Sequence, residues 1–552
     1  MKMLKGYITV LCFLGIKCAV TTVSDHPQVE TKLGKVEGTW RTSFDGRKYA
    51  AFEGVPYAKP PTGDRRFKEP QPIESWKGVW NATRIYVCPQ STTDFSDNVQ
   101  GEEDCLYMNV YVPKIGSKQL LDVVAHIHGG FFMTGYSQKG IGDKYIMGKD
   151  IVVVSFNYRL GALGFLSTED DVVPGNNGLK DQALALKWIQ ENIEAFGGNR
   201  QSVTLTGCSA GGVSVHMHYL SPYSKGLFHR GISHSGTAIA SKVIQHSPLE
   251  TARTLAQNVG CNFTSTKMMV DCLRTRPASL LVDKTKQCLQ PFKHFPCCPF
   301  APVIEKSGKK PFLADHPYKL LKKGKVQDLP WITSVVADDG LVFSIFIRKS
   351  MDEINEKWND FSGRHIVHYY DSYPQVLDKI KKHYAALDDD DNTLTADELT
   401  QMATDRAYLV PMQTAAKLQS SITNSPVYVY QFNYEGENSV KHIMAPNEEV
   451  KGVCHGDDMI YFMGGAIVKP LSEKDIRMKN ICMDILQSYA SKGVPSINNS
   501  GWEPMKKDFV YYAINSPDDI QKRIEKDFDS KKFWDSLGLL ENENSVTKHD
   551  EL

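Results

Sequence analysis

Residues 202–212 read Ser-Val-Thr-Leu-Thr-Gly-Cys-Ser-Ala-Gly-Gly. The run at 202–206 predicts a strand, and a helical pattern begins near Ser209. Between them lies a G-x-S-x-G pentapeptide, whose glycines permit a strained turn that lifts the Ser209 hydroxyl clear of the backbone. The amide of Ala210 then points toward the same space, at the positive end of a helix. This context predicts that Ser209 is a nucleophile.

The neighbouring segments predict the sheet that carries this turn. Buried strands are expected at 121–127 and 151–156, and an amphipathic helix at 179–196 that Gly197 and Gly198 terminate. Strands separated by helices indicate an α/β protein with a mostly parallel sheet covered on both faces. In such a sheet the functional site lies at the carboxyl ends of the strands.

A serine nucleophile needs a base and a group that orients the base. In folds with this turn, the chain order is serine, acid, histidine. His455 is the candidate base because it follows the nucleophile in the sequence Val-Cys-His-Gly-Asp-Asp, where a glycine turn comes next. Asp338 and Asp339 end an apolar run before Gly340 and are the candidate acids. The residues alone do not choose between these two carboxylates.

A second glycine turn is the candidate oxyanion hole. Residues 126–132, His-Ile-His-Gly-Gly-Phe-Phe, overlap the end of the expected strand at 121–127. Glycines there let the backbone approach a substrate closely, and fixed N–H groups stabilise the charge of a tetrahedral intermediate. An ordinary turn at the end of a strand would not need His-Gly-Gly upstream of a serine elbow.

Composition excludes several functional classes. The 552 residues include 64 basic and 64 acidic side chains, so the net charge is zero. A nucleic-acid-binding protein needs a basic face, and a disordered acidic protein needs an excess of carboxylates. No stretch after the N-terminal segment is apolar enough to span a bilayer. No Cys/His spacing matches a zinc site, and the acidic run at 388–392 fails the EF-hand register, so no metal is expected.

The termini indicate the secretory pathway. Residues 1–21 combine two lysines with a short apolar run, which is typical of a cleaved signal. Residues 549–552, His-Asp-Glu-Leu, form a retrieval address for the endoplasmic reticulum. Asn81, Asn262 and Asn498 each begin an N-glycosylation triplet. We therefore expect a protein of the endoplasmic reticulum lumen or a secreted one, with the HDEL receptor as a partner. The oligomeric state stays open.

Cysteine usage agrees with an oxidising compartment, where disulfides persist. Cys88 with Cys105, and Cys261 with Cys272, close short loops and are the preferred pairs. The pairing of the remaining cysteines of the mature chain is not decided by spacing; they are Cys208, Cys288, Cys297, Cys298, Cys454 and Cys482.

Together these segments resemble the type-B carboxylesterases of the carboxylesterase/cholinesterase family, especially those of insects, from about Val29 to Trp534. The matching motifs are Phe52–Pro61 with Arg66-Phe67, Glu103–Tyr111, Asn157–Gly161, Phe196–Gly198, Trp502 and Phe533-Trp534. The resemblance implies an α/β-hydrolase fold in one domain over residues 22–540, followed by a tail at 541–552. It also implies hydrolysis of a small-molecule ester without a cofactor.

The resemblance assigns roles that spacing does not. Ser209 matches the family nucleophile, His455 the base, and Asp339 the acid, which is the second residue of an acidic pair before glycine. Both preferred cysteine pairs match family disulfides. The oxyanion donors that it implies are the N–H groups of Gly130, Phe131 and Ala210, and the supporting residues that it implies are Gly129 and Ser235.

Four departures from the family pattern concern the site. The family acid is usually Glu, the elbow residue at Cys208 is often Glu, and relatives usually carry Gly or Ala at Phe131. The segment between Cys88 and Cys105 contains no tryptophan, so the cation–π platform for a choline group is missing. This last departure argues against an acetylcholinesterase.

These observations favour a serine carboxylesterase, general or detoxifying, that works through an acyl-enzyme on Ser209. The alternatives are a juvenile hormone esterase and a non-catalytic adhesion protein on the same fold. Relatives specialised for juvenile hormone often read Gly-Gln-Ser-Ala-Gly, which Cys208 does not match. Adhesion relatives typically lose one residue of the triad and gain a membrane anchor. A nucleophilic Cys208 is disfavoured because the elbow exposes its central residue.

Overall fold

The fold is seen in a computed structural model that describes residues 25–91, 98–116, 119–139, 141–241, 243–285, 299–367, 374–385, 393–506 and 508–539. The expected signal at 1–21, the terminal tetrapeptide at 549–552 and residues Cys288, Cys297 and Cys298 lie outside these ranges.

One large sheet organises the described part of the chain. Its eleven strands, in chain order, are β1 (Thr39–Thr42), β2 (Lys48–Pro56), β3 (Tyr107–Val112), β4 (Leu121–Ile127), β5 (Ile151–Phe156), β6 (Gly198–Cys208), β7 (Arg230–His234), β8 (Trp331–Val336), β9 (Val427–Phe432), β10 (Phe509–Ser516) and β11 (Asp519–Glu525). Their order across the sheet is β11-β10-β9-β8-β7-β6-β4-β5-β3-β2-β1. The strands from β10 to β5 in this order run parallel, and antiparallel strands close both edges.

Helices cover both faces of this sheet. In chain order they are α1 (Asp143–Ile146), α2 (Gly161–Phe165), α3 (Asn177–Asn192), α4 (Ala210–Leu220), α5 (Pro248–Asn258), α6 (Thr266–Thr275), α7 (Ala278–Thr285), α8 (Pro317–Lys322), α9 (Leu341–Ile347), α10 (Met351–Glu356), α11 (Trp358–His365), α12 (Pro374–Ala385), α13 (Ala396–Thr404), α14 (Val410–Ile422), α15 (Lys441–Met444), α16 (Asp457–Met463), α17 (Glu473–Lys492) and α18 (Asp529–Ser536). A π-helical turn, Asp405–Leu409, joins α13 to α14. Short strands outside the large sheet are Gln28–Glu30, Lys35–Glu37, Val79–Asn81, Gln90–Ser91, Val99–Gln100, Ser496–Ile497 and Ser500–Gly501. Within the described ranges, no helix combines the length and hydropathy needed to cross a membrane.

The central strands are buried on both sides. In β5, Val152 and Val154 belong to the apolar core on one face, whereas Ile151 and Val153 belong to the core on the other. This alternation follows from the two-residue period of a strand. Residues with β-branched side chains therefore occupy consecutive positions here, as they do in parallel sheets that are covered on both faces.

The predicted α/β fold class is confirmed, and the strands expected at 121–127 and 151–156 are β4 and β5. The expected helix at 179–196 is α3 as far as Asn192, and a 3₁₀ turn continues it to Phe196. Gly197 then adopts φ 82°, the left-handed conformation that ends such a helix. Most of α3 is buried rather than only one of its faces, because it packs in the interior.

Candidate active site

Ser209 occupies the tight turn between β6 and α4, at the carboxyl end of the central strand. Its backbone has φ 61° and ψ −128°, a conformation that costs a residue other than glycine about 1–3 kcal/mol. The Ser209 N–H donates to the carbonyl of His234, and the Ser209 carbonyl accepts from the N–H of Val213, both at 2.9 Å. These bonds hold the strained turn, and Ser209 remains only half-buried.

Both glycines of the pentapeptide are required by close backbone packing. A Cβ on Gly207 would lie 2.5 Å from the carbonyl carbon of Gly211, and a Cβ on Gly211 would lie 2.1 Å from the carbonyl oxygen of Ile127. No side-chain rotation relieves these contacts, because the neighbouring atoms belong to the backbone. The turn that G-x-S-x-G predicts is therefore formed between strand and helix.

His455 and Asp339 form a buried pair at this end of the sheet. Nδ1 of His455 lies 2.7 Å from Oδ1 of Asp339. Oδ2 of Asp339 accepts from the N–H of Val336 at 2.9 Å and from the hydroxyl of Ser235 at 3.0 Å. Complete burial raises the pKa of the Asp339 carboxyl, and these hydrogen bonds oppose that shift by stabilising the anion. The carboxylate thus orients the imidazole with Nδ1–H as donor and leaves Nε2 to exchange a proton.

Nε2 of His455 is buried and has no hydrogen-bond partner among the described residues. The hydrogen bond from the Ser209 hydroxyl is therefore not formed in this structure. The loop of His455 nevertheless reaches the elbow, since a Cβ on Gly456 would lie 3.9 Å from the sulfur of Cys208. Contacts between nucleophile and base are often loose in free enzymes and tighten when substrate binds.

Asp338, the other candidate acid, has a different partner. Its Oδ2 accepts from the N–H of Val453 at 2.9 Å, and its own N–H donates to the Val453 carbonyl at 3.1 Å. The two aspartates therefore have different hydrogen-bond partners. Asp338 accepts a hydrogen bond from the backbone two residues before His455, and Asp339 contacts the imidazole of His455.

The glycine turn after β4 presents backbone donors at the same end of the sheet. Gly130 has φ 116° and Phe131 has φ 58°, and the carbonyl of Gly130 accepts from the N–H groups of Met133 and Thr134 at 2.9 Å. Among the described residues, the N–H groups of Gly130, Phe131 and Ala210 donate to no protein acceptor. They are the three groups expected to form the oxyanion hole.

A buried network of three polar residues, His234, Tyr430 and Asp458, lies near the elbow, and none of the three is among the site residues predicted from the sequence. Nδ1 of His234 lies 2.6 Å from the hydroxyl of Tyr430 and 3.2 Å from Oδ2 of Asp458. The Tyr430 hydroxyl donates to the same carboxylate oxygen at 2.7 Å. Because the carbonyl of His234 also accepts from Ser209, this network supports the turn. No local pattern marks it, since its members are far apart in sequence.

The described cysteines are of two kinds, disulfide-bonded residues and free thiols. The preferred pairs Cys88–Cys105 and Cys261–Cys272 are confirmed as disulfides, and Cys208, Cys454 and Cys482 are thiols. Burial raises the pKa of the Cys208 thiol well above its ordinary value. The thiolate is the nucleophilic form of cysteine, so Cys208 is a poor nucleophile.

A series of aromatic contacts joins Phe131, in the candidate oxyanion turn, to His455, the candidate base. Phe131 packs on Phe343 with ring centroids 6.0 Å apart, and Phe343 packs on Tyr408 at 6.0 Å. Tyr408 packs on His455 at 4.9 Å. Tyr408 is not among the predicted site residues, although Pro411, three positions later within a helical segment, signals local irregularity.

Known proteins are similar to this chain over most of its length. Residues 25–534 match the model of the carboxylesterase family. A carboxylic ester hydrolase of Bombus ignitus is 38% identical over 94% of this chain and 95% of its own length. Venom carboxylesterase-6 of Apis mellifera is 37% identical over 97% of this chain and 98% of its own. The crystal structure of juvenile hormone esterase from Manduca sexta, with OTFP covalently attached, superposes with a TM-score of 0.83 at 28% identity, covering 93% of this chain and 99% of that one.

The family match spans both edges of the large sheet and every segment of the site described above. The sequence resemblance is therefore confirmed, and so is the expectation of a hydrolase of carboxylic esters. This chain belongs to the carboxylesterase family.

Proposed function

We propose that Ser209, His455 and Asp339 form the catalytic triad of this carboxylesterase. The observation that carries the proposal is the buried Nδ1–Oδ1 contact of 2.7 Å between His455 and Asp339, beside a serine held in a strained turn. Such strain persists at sites where the surrounding structure enforces it.

The reaction proceeds through an acyl-enzyme. The Ser209 hydroxyl attacks the ester carbonyl while Nε2 of His455 takes its proton, and Asp339 stabilises the imidazolium. The N–H groups of Gly130, Phe131 and Ala210 donate to the oxygen of the tetrahedral intermediate. The imidazolium returns the proton to the departing alcohol. A water molecule, deprotonated by the same nitrogen, then releases the acid and regenerates Ser209.

The substrate is a neutral carboxylic ester, and we assign a general or detoxifying role. The rings of Phe343 and Tyr408 pack in series against His455, and an aromatic surface of this kind suits an uncharged ester. The similarity to juvenile hormone esterase of Manduca sexta makes that hormone the competing substrate. Comparing kcat/KM for juvenile hormone with that for short-chain p-nitrophenyl esters decides between the two roles.

The proposed location is the lumen of the endoplasmic reticulum, or the exterior after secretion, with the HDEL receptor as a partner. Two disulfides suit an oxidising compartment. Asn81, Asn262 and Asn498 are exposed, as glycan acceptors must be. Digestion with a glycosidase that removes N-linked glycans, followed by mass measurement, tests the three sites.

An organophosphate tests the triad directly. The mature protein is treated with diisopropyl fluorophosphate, the adduct is located by peptide mass spectrometry, and hydrolysis of p-nitrophenyl acetate is followed in parallel. We expect one adduct on Ser209 and a matching loss of turnover. Folded, glycosylated protein that shows neither adduct nor turnover would contradict the proposal and favour a binding role for the same fold.

A further inference from the structure

The π-helical turn between α13 and α14 has a local cause. Pro411 has no N–H, and its ring crowds the carbonyl of Ala407, four residues earlier. The helix accommodates the ring by taking one additional residue into the turn, so the N–H of Val410 donates to the carbonyl of Asp405, five residues back. Turns of this type occur mostly singly within α-helices and frequently at functional sites.

The outer side of this turn is anchored to two other helices. The carboxylate of Asp405 accepts from the hydroxyl of Tyr384 in α12 at 2.9 Å, and that hydroxyl accepts from Nε1 of Trp534 in α18 at 2.8 Å. Nε of Arg406 donates to the carbonyl of Ile366 at 3.0 Å, and its guanidinium lies 5.1 Å from the ring centroid of Trp534. These contacts fix the turn in position.

The inner side of the turn presents Tyr408 to the candidate base. The ring centroids of Tyr408 and His455 are 4.9 Å apart, with 42° between the planes, and Tyr408 is 9% exposed. Among the described residues, the imidazole has one hydrogen bond, from Nδ1 to Asp339. One hydrogen bond at Nδ1 still allows the imidazole to move through small changes in its side-chain torsions. An aromatic ring packed against the imidazole opposes these movements.

The same helical segment also holds the turn that carries the acid. The N–H of Gly340, which follows Asp339, donates to the hydroxyl of Thr404 at 2.9 Å. A Cβ on Gly340 would lie 2.1 Å from the carbonyl oxygen of Thr400, so the acid turn packs directly on α13. One element, α13 with the π turn that follows it, therefore contacts both the turn that carries Asp339 and the imidazole of His455.

We infer that Tyr408 is a positioning residue for His455: its ring, presented by the π-helical turn, limits the movement of the imidazole whose Nε2 takes the proton of Ser209 in the proposed reaction. The inference rests on the proposed triad. Misplacing a reacting group by about 1 Å can cost on the order of a hundredfold in rate. Loss of the ring therefore lowers the rate of the chemical steps without weakening the binding of a small ester.

Kinetics of two variants test the inference. In Tyr408→Leu we expect kcat for p-nitrophenyl acetate to fall about tenfold or more while KM stays within about twofold, because only the base is displaced. Tyr408→Phe keeps the ring and is expected to retain most of kcat. Phe509→Leu is the matched control, since Phe509 is a buried aromatic residue that packs on Tyr511 and Phe528 in another part of the core. This control lowers the melting temperature and leaves kcat unchanged.

Three results would overturn the inference. A Leu variant with normal kcat shows that the ring does not position the base, and one with raised KM and normal kcat makes Tyr408 a substrate contact. A Phe variant as slow as the Leu variant assigns the effect to the hydroxyl. If Tyr408→Leu does not fold, Tyr408→Met takes its place. If the wild-type protein shows neither turnover nor a Ser209 adduct, the proposed triad is refuted. That result concerns the wild type, so it is distinguishable from a result on the Tyr408 variants, which tests only the positioning role.

Discussion

Asp339→Asn removes a charge while preserving the shape of the side chain, and the structure predicts how it inactivates the enzyme. Oδ2 of Asp339 accepts from Val336 and Ser235, whereas Oδ1 accepts, among the described residues, only from His455. In the variant the amide oxygen remains at the Oδ2 position, because an NH₂ group there would face two donors. The NH₂ group then faces Nδ1 of His455. Nδ1 becomes an acceptor, the proton moves to Nε2, and the base can no longer take a proton from Ser209.

The expected cost is large and specific to the chemical step. In a Ser-His-Asp triad this exchange lowers kcat by about 10⁴, which corresponds to about 5.5 kcal/mol in activation free energy. The melting temperature should change little, because the two hydrogen bonds at Oδ2 are retained. The assay is hydrolysis of p-nitrophenyl butyrate, together with the rate of labelling by diisopropyl fluorophosphate.

Asp338→Asn is the matched control. Its amide oxygen can still accept from the N–H of Val453, so we expect kcat within about threefold of wild type. If Asp339→Asn keeps more than a tenth of kcat, the tautomer argument is refuted. If Asp338→Asn is the slower variant, the acid has been assigned to the wrong carboxylate.

Three further substitutions probe the elbow, the pocket and the π-helical turn. Gly211→Ala places a Cβ 2.1 Å from a backbone oxygen. We therefore expect the unfolding free energy to fall by about 1–3 kcal/mol or more and organophosphate labelling to slow. Normal stability together with normal labelling would contradict the close packing. Phe131→Gly removes a ring that packs on Phe343. The value of kcat/KM for p-nitrophenyl hexanoate, divided by that for p-nitrophenyl acetate, should rise at least tenfold. An unchanged ratio would show that the ring does not border the acyl group. Burial raises the pKa of Asp405 to about 6 in the folded protein, whereas the pKa in the unfolded chain is about 3.9. The unfolding free energy of the wild type therefore falls by up to about 3 kcal/mol as the pH rises through this range. Asp405→Asn should therefore be more stable than wild type in urea at pH 7 and equal to it at pH 4, and an identical difference at both pH values would count against the shift.

The secondary structure was predictable where local patterns dominate. The bounds of β4 and β5 follow from their β-branched runs, and the end of α3 follows from Gly197, whose φ of 82° suits glycine. The 3₁₀ turn at Ile193–Phe196 was not predictable, because apolar periodicity does not distinguish 3.0 from 3.6 residues per turn over four residues.

Contacts between distant residues limit what the sequence predicts of the site. The residues alone left Asp338 and Asp339 equivalent, and the family resemblance selected Asp339. The structure separates them by hydrogen bonding, since His455 lies 116 positions from Asp339. Tyr408 gave no signal of its own, because the residue added by the π turn rotates the following side chains by about 100° relative to an ideal helix.

The sequence by itself determined the local features of this protein: the glycines that permit the elbow at Ser209, the glycine turn at Gly130, the two short-range disulfides and membership of the carboxylesterase family. These features depend on backbone geometry within a few residues, which residue type controls directly. Only the tertiary structure decided which carboxylate holds His455, which ring packs against it, and how His234 and Asp458 support the elbow. Those choices depend on how strand ends and helices meet in space, because a hydrogen bond is formed or lost over less than about 1 Å.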